Sequence, residues 1–434
     1  MRSQALISPS SLRIYTEHNF DKIRQLRHLS EEQRFAIRVV AQVLPFRVNQ
    51  YVVDHLVAWD DIPDDPMFRL VFPQPEMLAA KHFTRIADLL RSDADKATVQ
   101  RAAREIQCEL NPHPAGQTTV NVPRVGNEYL RGAQHKYRET LLFFPSQGQT
   151  CHSYCTFCFR WAQFVGNTDL LISTRDVATL HEYLLSHREV TDLLVTGGDP
   201  MVMTTSRIDH YLRPLTAPEF EHLRTIRIGT KSLSFWPYRF VTDPDADQLL
   251  RLFSELIRAG KHVAVMAHFE HGRELEGPVV REAVRRILDT GAVIRTQAPV
   301  LRHINDDADV WASMWRVQVN MGMVPYYMFV ERDTGARRYF ELPLESAWKI
   351  YRGAIEQVSG LARTARGPAM SAELGKVEVQ GVTEIAGEKA FVLRFIQARN
   401  PEWVQRPFFA KFDPEATWLD QLRPAFGKEK FFFE

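Results

Sequence analysis

TLLFFPSQGQTCHSYCTFC, residues 140–158, joins a short apolar run to three of the four cysteines in the chain. The run TLLFF (Thr140–Phe144) reads as a buried strand. Similar runs follow at TDLLVTG (191–197), LRTIRIGT (223–230), KHVAVMAHF (261–269), AVIRTQAPVL (292–301) and VPYYMFV (324–330). Helical patterns alternate with them. After the capping oxygens of TDPDAD (Thr242–Asp247), Leu249, Leu250, Phe253, Leu256 and Ile257 share one helical face, and Gly260 suits the left-handed residue that closes such a helix. REAVRRILDTG (Arg281–Gly291) predicts another. Six strands with five helices between them predict an α/β chain with a parallel sheet and right-handed crossovers. A curved, partial (β/α)6 barrel is favoured over a flat doubly wound sheet. In either fold, chemistry belongs at the carboxyl ends of the strands.

The flanks read differently. Residues 20–110 are helical and charged, interrupted by WDDIPDDPMFRLVFPQPEM (Trp59–Met77). That Pro/Asp run is expected to stop a helix and wrap the surface as an ordered loop. Beyond 335, ESAWKIYRGAIEQVSG (Glu345–Gly360) predicts a helix. GKVEVQGVTEIAGEKAFVLRF (Gly375–Phe395) predicts a hairpin or short sheet with turns at Gly381 and Gly387. The expected division is a mainly helical extension over 1–130, the barrel over 131–335 and a small α+β region over 336–434.

With 54 Lys+Arg against 53 Asp+Glu, the net charge of +1 gives no electrostatic reason to expect nucleic acid or an anionic membrane as partner. The opening MRSQALISPSSLRIYTEHNF lacks the continuous apolar core of a secretory signal, and no run of about 18 apolar residues occurs. One cysteine outside the cluster, Cys108, excludes a disulfide framework, so a reducing cytoplasm is the expected setting. The tail KFFFE (Lys430–Glu434) exposes three phenylalanines unless it docks, a partner subunit being one possible dock.

The cysteines are spaced Cys151-x-x-x-Cys155-x-x-Cys158. Three thiolates on one loop can hold three irons of a cubane 4Fe-4S cluster and leave the fourth iron open to a ligand. Zinc competes, but a closed zinc site needs a fourth ligand. His152 is adjacent to Cys151 and poorly placed to share its metal, and Cys108 could serve only through a long-range contact. Three structural cysteines remain the plain alternative.

With Phe157 just before the last cysteine, this spacing resembles the signature of radical S-adenosylmethionine enzymes. More closely, the chain resembles the lysine 2,3-aminomutase family over about residues 55–400. The similarity runs through IPDDPMFR (Ile62–Arg69), HKYRETLLFF (His135–Phe144), VTGGDP (Val195–Pro200), IRIGTK (Ile226–Lys231), AHFEHG (Ala267–Gly272) and TQAPVLRHIND (Thr296–Asp306). The resemblance implies a partial barrel and an open iron that binds the amino and carboxylate groups of S-adenosylmethionine. It implies a 5′-deoxyadenosyl radical that abstracts hydrogen. It also implies pyridoxal phosphate as the group on which an amino function moves from C2 to C3 of an α-amino acid.

Roles carried over residue by residue are expectations of the same kind. Cys151, Cys155 and Cys158 bind the cluster. Gly197, Gly198 and Asp199 approach S-adenosylmethionine, together with Thr230, Phe157 at the adenine, His268 on the wall and Gln297 near the ribose. Strand alternation puts Glu270 on the same face as His268. Arg160 faces the substrate carboxylate, as its planar fork allows. Lys376, after Gly375, carries pyridoxal phosphate, with Lys136 and Tyr137 on the phosphate side and Arg138 and Arg366 available there. Thr140 stands where the family has another basic residue. Asp333 matches one of two acidic groups that hold a lysine ammonium; for the second, Glu373 is only nearby. The family's C-terminal zinc cysteines are absent, so no structural zinc is expected. An amino-acid substrate, a reductant such as flavodoxin or ferredoxin, and a homo-oligomer are the expected partners. A radical enzyme without pyridoxal phosphate (an epimerase or dehydrogenase, for example) and an iron–sulfur protein of sensing or electron transfer are the competing readings.

Overall fold

A computed structural model describes residues 10–434; the first part of the stretch read for a secretory signal, residues 1–9, lies outside the described residues. Eleven strands form one sheet. In chain order they are β1 (Ala133–Tyr137), β2 (Thr140–Phe143), β3 (Asp192–Val195), β4 (Thr225–Thr230), β5 (His262–His268), β6 (Val293–Val300), β7 (Val324–Val330), β8 (Arg366–Ser371), β9 (Gly375–Ile385), β10 (Glu388–Ala398) and β11 (Pro407–Lys411). They lie side by side in that order. Strands β2 to β8 run parallel. β1 and β9–β11 are antiparallel additions at the two ends.

The parallel run therefore has seven strands, not six. The helices between them are α1 (Val177–Ser186), α2 (Thr205–Leu212), α3 (Ala246–Arg258), α4 (Pro278–Asp289), α5 (Ala308–Asn320) and α6 (Leu344–Glu356). The added unit is α6 with β8. Strand β8, RGPAMS, was missed because two small residues and a proline give it no apolar alternation to read. The parallel run thus continues past residue 335 to Ser371.

On β4 the burial alternates strictly. Ile226 and Ile228 pack into the main core with the helices, while Arg227 and Gly229 are half-buried on the other face. On β6 the half-buried positions include Arg295 and Gln297. The concave face is thus polar, which suits a ligand-holding interior better than a packed one. The sheet also curls. Lys136 of β1 donates to the Ala372 carbonyl in the β8–β9 connection, and Arg399, just after β10, donates to Asn121 at 2.6 Å.

The Pro/Asp run departs from the surface loop expected of it. Asp65 accepts from Phe68 N at 2.7 Å and Pro66 opens a short helix, Pro66–Val71, whose Met67, Phe68, Leu70 and Val71 are buried. Proline at the first helical position starts a helix, because its missing N–H would be unpaired there anyway. Buried Asp65 also pairs with Arg273, beyond β5.

At the C-terminal end the hairpin turn falls at Ala386–Gly387, both at positive φ, as a two-residue connection requires. Gly381 is not a turn: β9 runs through it, with only a register shift between Val379 and Gly381. The terminal phenylalanines dock on their own chain. Phe433 lies 5.1 Å from Phe395 and 5.2 Å from Phe408, and Phe431 is buried. Among the described residues no helix is long and apolar enough to cross a membrane.

Candidate functional site

The cysteine loop leaves β2 and is clamped by the N-terminal layer. Tyr154 N donates to Arg47 O at 2.8 Å, Thr156 N to Leu70 O at 2.9 Å and Thr156 Oγ1 to Arg69 O at 2.7 Å. Asn49 Nδ2 donates to Phe235 O at 2.8 Å and to His152 O at 3.3 Å, and its own N–H donates to Ser153 Oγ at 3.0 Å. The helical extension thus fixes the loop, which sequence reasoning did not foresee. Its signal is only a set of apolar side chains among charges.

Cys151, Cys155 and Cys158 are free thiols, half-buried, and Cys155 and Cys158 pack against the N-terminal core. Burial pushes all three thiols up, Cys158 to about 11. Losing their protons requires the positive charge of bound metal. Among the described residues no three His, Cys, Asp or Glu converge on one ion. A cubane asks for something else, since each thiolate binds its own iron at a separate corner. The donor set of three thiols on one pinned loop fits such a cluster. His152 points away: its Nδ1 meets Ser232 Oγ at 2.9 Å, and burial drives its pKa down to about 3. Cys108 is exposed on another helix.

Beneath the loop lies the Gly197–Gly198–Asp199 turn at the end of β3. A Cβ on Gly198 would stand 2.4 Å from Thr150 O and 2.5 Å from Thr150 N. Glycine is needed there because two backbones touch. Asp199 N donates to Thr150 O at 2.7 Å. The Asp199 carboxylate accepts from Thr230 Oγ1 at 2.7 Å, Lys231 N, Ser232 Oγ and Met201 N, each of the last three at 2.9 Å. Asp199 and Thr230 thus tie β3 to β4 at the strand ends. Phe157 is buried in the N-terminal core, edge-on to Phe340 at 6.3 Å.

At the end of β5, His268 Nε2 meets Gln297 Nε2 at 2.9 Å, and its Nδ1 lies 3.9 Å from Glu270 Oε1. Burial, then Lys231 and Arg160, lowers the His268 pKa to about 3, so the ring is neutral. Behind it is a buried triad missed in the sequence. Lys231 pairs with Glu270 and, at 2.6 Å, with Glu274. Burial alone would lower the lysine pKa, but the two carboxylates outweigh it and hold it above its ordinary value. Two acids four residues apart and a lysine forty residues earlier offered no sequence signal of their meeting.

Lys376 opens β9 opposite Ser371 of β8, beside a register shift at Val377 that re-aims the chain. A Cβ on Gly375 would lie 2.3 Å from Gln397 O, which accounts for the glycine before the lysine. The Lys376 ammonium stands 4.5 Å from the centre of the Tyr137 ring and 5.6 Å from that of Tyr327. Burial, then Arg227, Lys136 and Arg366, pushes its pKa well below the ordinary lysine value. Lys136 is lowered to about 7 by burial and by Arg332 and Arg399. An amine with a depressed pKa amid cations fits both needs of pyridoxal phosphate, an aldehyde partner and a phosphate cradle.

Arg160, two residues past Cys158, is buried and lies over Phe144 at 4.4 Å and Phe159 at 4.9 Å, with Nη1 unpartnered among the described residues. Asp333 sits 3.6 Å from Arg332 Nε, and Glu373 is exposed on the β8–β9 turn.

A three-cysteine loop after the first parallel strand, with the Gly-Gly-Asp turn against it, defines a radical S-adenosylmethionine enzyme, with a 4Fe-4S cluster and S-adenosylmethionine as its cofactors. No family model matches the sequence. A protein of Aquifex aeolicus (strain VF5), provisionally named L-lysine 2,3-aminomutase, is 31% identical over 92% of this chain and 93% of its own length. The chain belongs to the lysine 2,3-aminomutase family and is an aminomutase-like enzyme. It is also 24% identical to the L-lysine 2,3-aminomutase of Escherichia coli (strain K12), over 78% of this chain and 84% of that one. A glutamate 2,3-aminomutase of Clostridioides difficile (strain 630) is 25% identical over 55% of this chain and 54% of its own.

Proposed function

We propose that this chain moves the amino group of an α-amino acid between C2 and C3, with pyridoxal phosphate held on Lys376. The observation that carries the reading is the surroundings of Lys376. Its amine has a pKa pushed well below the ordinary lysine value by burial and by Arg227, Lys136 and Arg366, and it is faced by Tyr137 and Tyr327 in the sheet that bears the cysteine loop. Pyridoxal phosphate, when bound, supplies an electron-delocalising ring. Cys151, Cys155 and Cys158 hold the cluster, and the polar concave face receives S-adenosylmethionine near Gly197, His268 and Gln297. Arg160 offers its free Nη1 to the substrate α-carboxylate. Lys136, Arg227 and Arg366 neutralise the phosphate, in place of the base that Thr140 lacks. Thr140 itself donates to Asp192 at 3.3 Å.

The curled sheet is read as an open (β/α) barrel, drawn to residue 371 rather than 335, with 10–130 as its clamp and the rest as a C-terminal cap. A cytoplasmic setting, a small reductant protein and self-association belong to the same proposal. The test is anaerobic reconstitution with iron, sulfide and pyridoxal phosphate, then reduction with dithionite and S-adenosylmethionine over a panel of amino acids. A β-amino acid product with 5′-deoxyadenosine supports the reading. Formation of 5′-deoxyadenosine without any β-amino acid, and without borohydride-fixed label on Lys376, overturns it.

A further inference from the structure

Arg332 follows β7 and is buried close to Arg160 and Lys136. Its Nε and Nη2 are buried and find no hydrogen-bond partner among the described residues; Arg160 Nη1 is in the same position. Both guanidiniums lie against one ring, Phe159, at 4.9 Å for Arg160 and 5.2 Å for Arg332. The nearest acid, Asp333, stands 3.6 Å from Arg332 Nε, outside hydrogen-bond range, and its Oδ1 is itself unpartnered. Glu331 does not compensate either. Burial pushes its carboxyl well up, toward the neutral acid, and its Oε1 is unpartnered. Asp333 thus balances part of the Arg332 charge but fills none of its donors, and buried unfilled donors are costly, so two such forks on one ring call for acceptor oxygens from a ligand. The α-carboxylate of the substrate accounts for Arg160. The fork of Arg332 is left over.

We propose that Arg332 receives a second acid group of the substrate, so that the amino acid taken here is dicarboxylic, with an anionic side chain. This rests on the aminomutase reading above and names its substrate class. A lysine-like substrate would bring another cation beside Lys136, Arg160 and Arg332. No pair of acids is assembled for its ammonium: Asp333 pairs with Arg332, and Glu373, only nearby in sequence, is exposed on its turn. The anion could instead be the cofactor phosphate. The cations around Lys376 itself are Arg227, Lys136 and Arg366; Arg332 bears on Lys136 but not on Lys376, so phosphate loading is read separately in the experiment.

The experiment uses the reconstituted enzyme and Arg332→Gln, with L-glutamate, L-aspartate, L-lysine and L-2-aminobutyrate. Binding is measured anaerobically by equilibrium dialysis, and turnover by amino-acid-triggered 5′-deoxyadenosine. Expected are binding and turnover with a dicarboxylic amino acid, and a rise of about 30-fold or more in its Kd and KM in Arg332→Gln, as for loss of a buried charge partner. The weak response to L-2-aminobutyrate should stay unchanged, as should pyridoxal phosphate loading by absorbance. A preference for L-lysine, or equal losses for all four amino acids, overturns the proposal. Loss of pyridoxal phosphate loading in Arg332→Gln assigns the fork to phosphate and also overturns it. Dicarboxylate binding that depends on Arg332, without β-amino acid formation, would leave this inference standing while the aminomutase reading fell.

Discussion

Lys376 of β9 lies 4.5 Å from the ring centre of Tyr137 of β1, across the gap between two ends of one curled sheet. Nothing on either strand alone brings them together. The contact exists because seven parallel strands, with α6 and β8 among them, carry the sheet round. The first prediction follows from it. A lysine whose pKa is pushed down by burial and surrounding cations bonds an aldehyde more readily than a free lysine does. Borohydride reduction after incubation with pyridoxal phosphate should label the peptide bearing Lys376. Lys376→Ala should lose that label and the β-amino acid, while iron content stays at the wild-type level.

Anaerobically prepared protein should carry about four irons per chain, the content of a cubane cluster. Replacing Cys151, Cys155 and Cys158 by alanine should abolish the visible absorbance of the cluster and the cleavage of S-adenosylmethionine. Cys108→Ala, on an exposed helix position, should change neither.

Gly198→Ala places a methyl group 2.4 Å from the Thr150 carbonyl, one residue before the first cluster cysteine. One of the two backbones must shift. We expect a folded protein by circular dichroism that holds less than half the wild-type iron. Unchanged iron and activity would show that the turn has room to yield.

Lys231→Met leaves Glu270 and Glu274 buried without their cation. Breaking a buried pair in this way costs about 3–5 kcal/mol, and thermal unfolding should show a correspondingly large fall in Tm. Glu270 also gives a pH signature. Burial raises its folded-state pKa to about 7, above the ordinary glutamate range, with Lys231 opposing. A raised carboxyl binds its proton more tightly in the folded state. Its contribution is therefore fully present below the ordinary range and is lost as pH rises toward 7. Glu270→Gln, uncharged throughout, should flatten that part of the Tm–pH curve. An identical slope in both proteins would refute the assignment.

The chain itself carries strong local signals for much of this. The apolar runs at 223–230 and 261–269 become β4 and β5 within a residue or two, because a strand packed on helices must alternate or run apolar. The three cysteines stand within one loop, so their shared chemistry needs no tertiary information. Family similarity in sequence pointed to Lys376, whose neighbours then had to be found in the fold. The Pro66 helix was misread because a proline that ends one helix also begins another, and only the buried Asp65 cap tells which. RGPAMS was missed because small residues and a proline hide a strand that its neighbours nevertheless hold in the sheet.

What the sequence by itself determined is six of the seven parallel strands and the clustering of three cysteines on one loop, since periodicity and close spacing are local properties. Tertiary structure alone decided which charges meet. Asp199 and Thr230 bond each other, Lys231 finds two glutamates from beyond β5, and Arg160 and Arg332 share the Phe159 ring with hydrogen-bond donors left unfilled. Burial and charge–charge distance set these energies, and both are properties of how distant segments pack, not of the segments themselves.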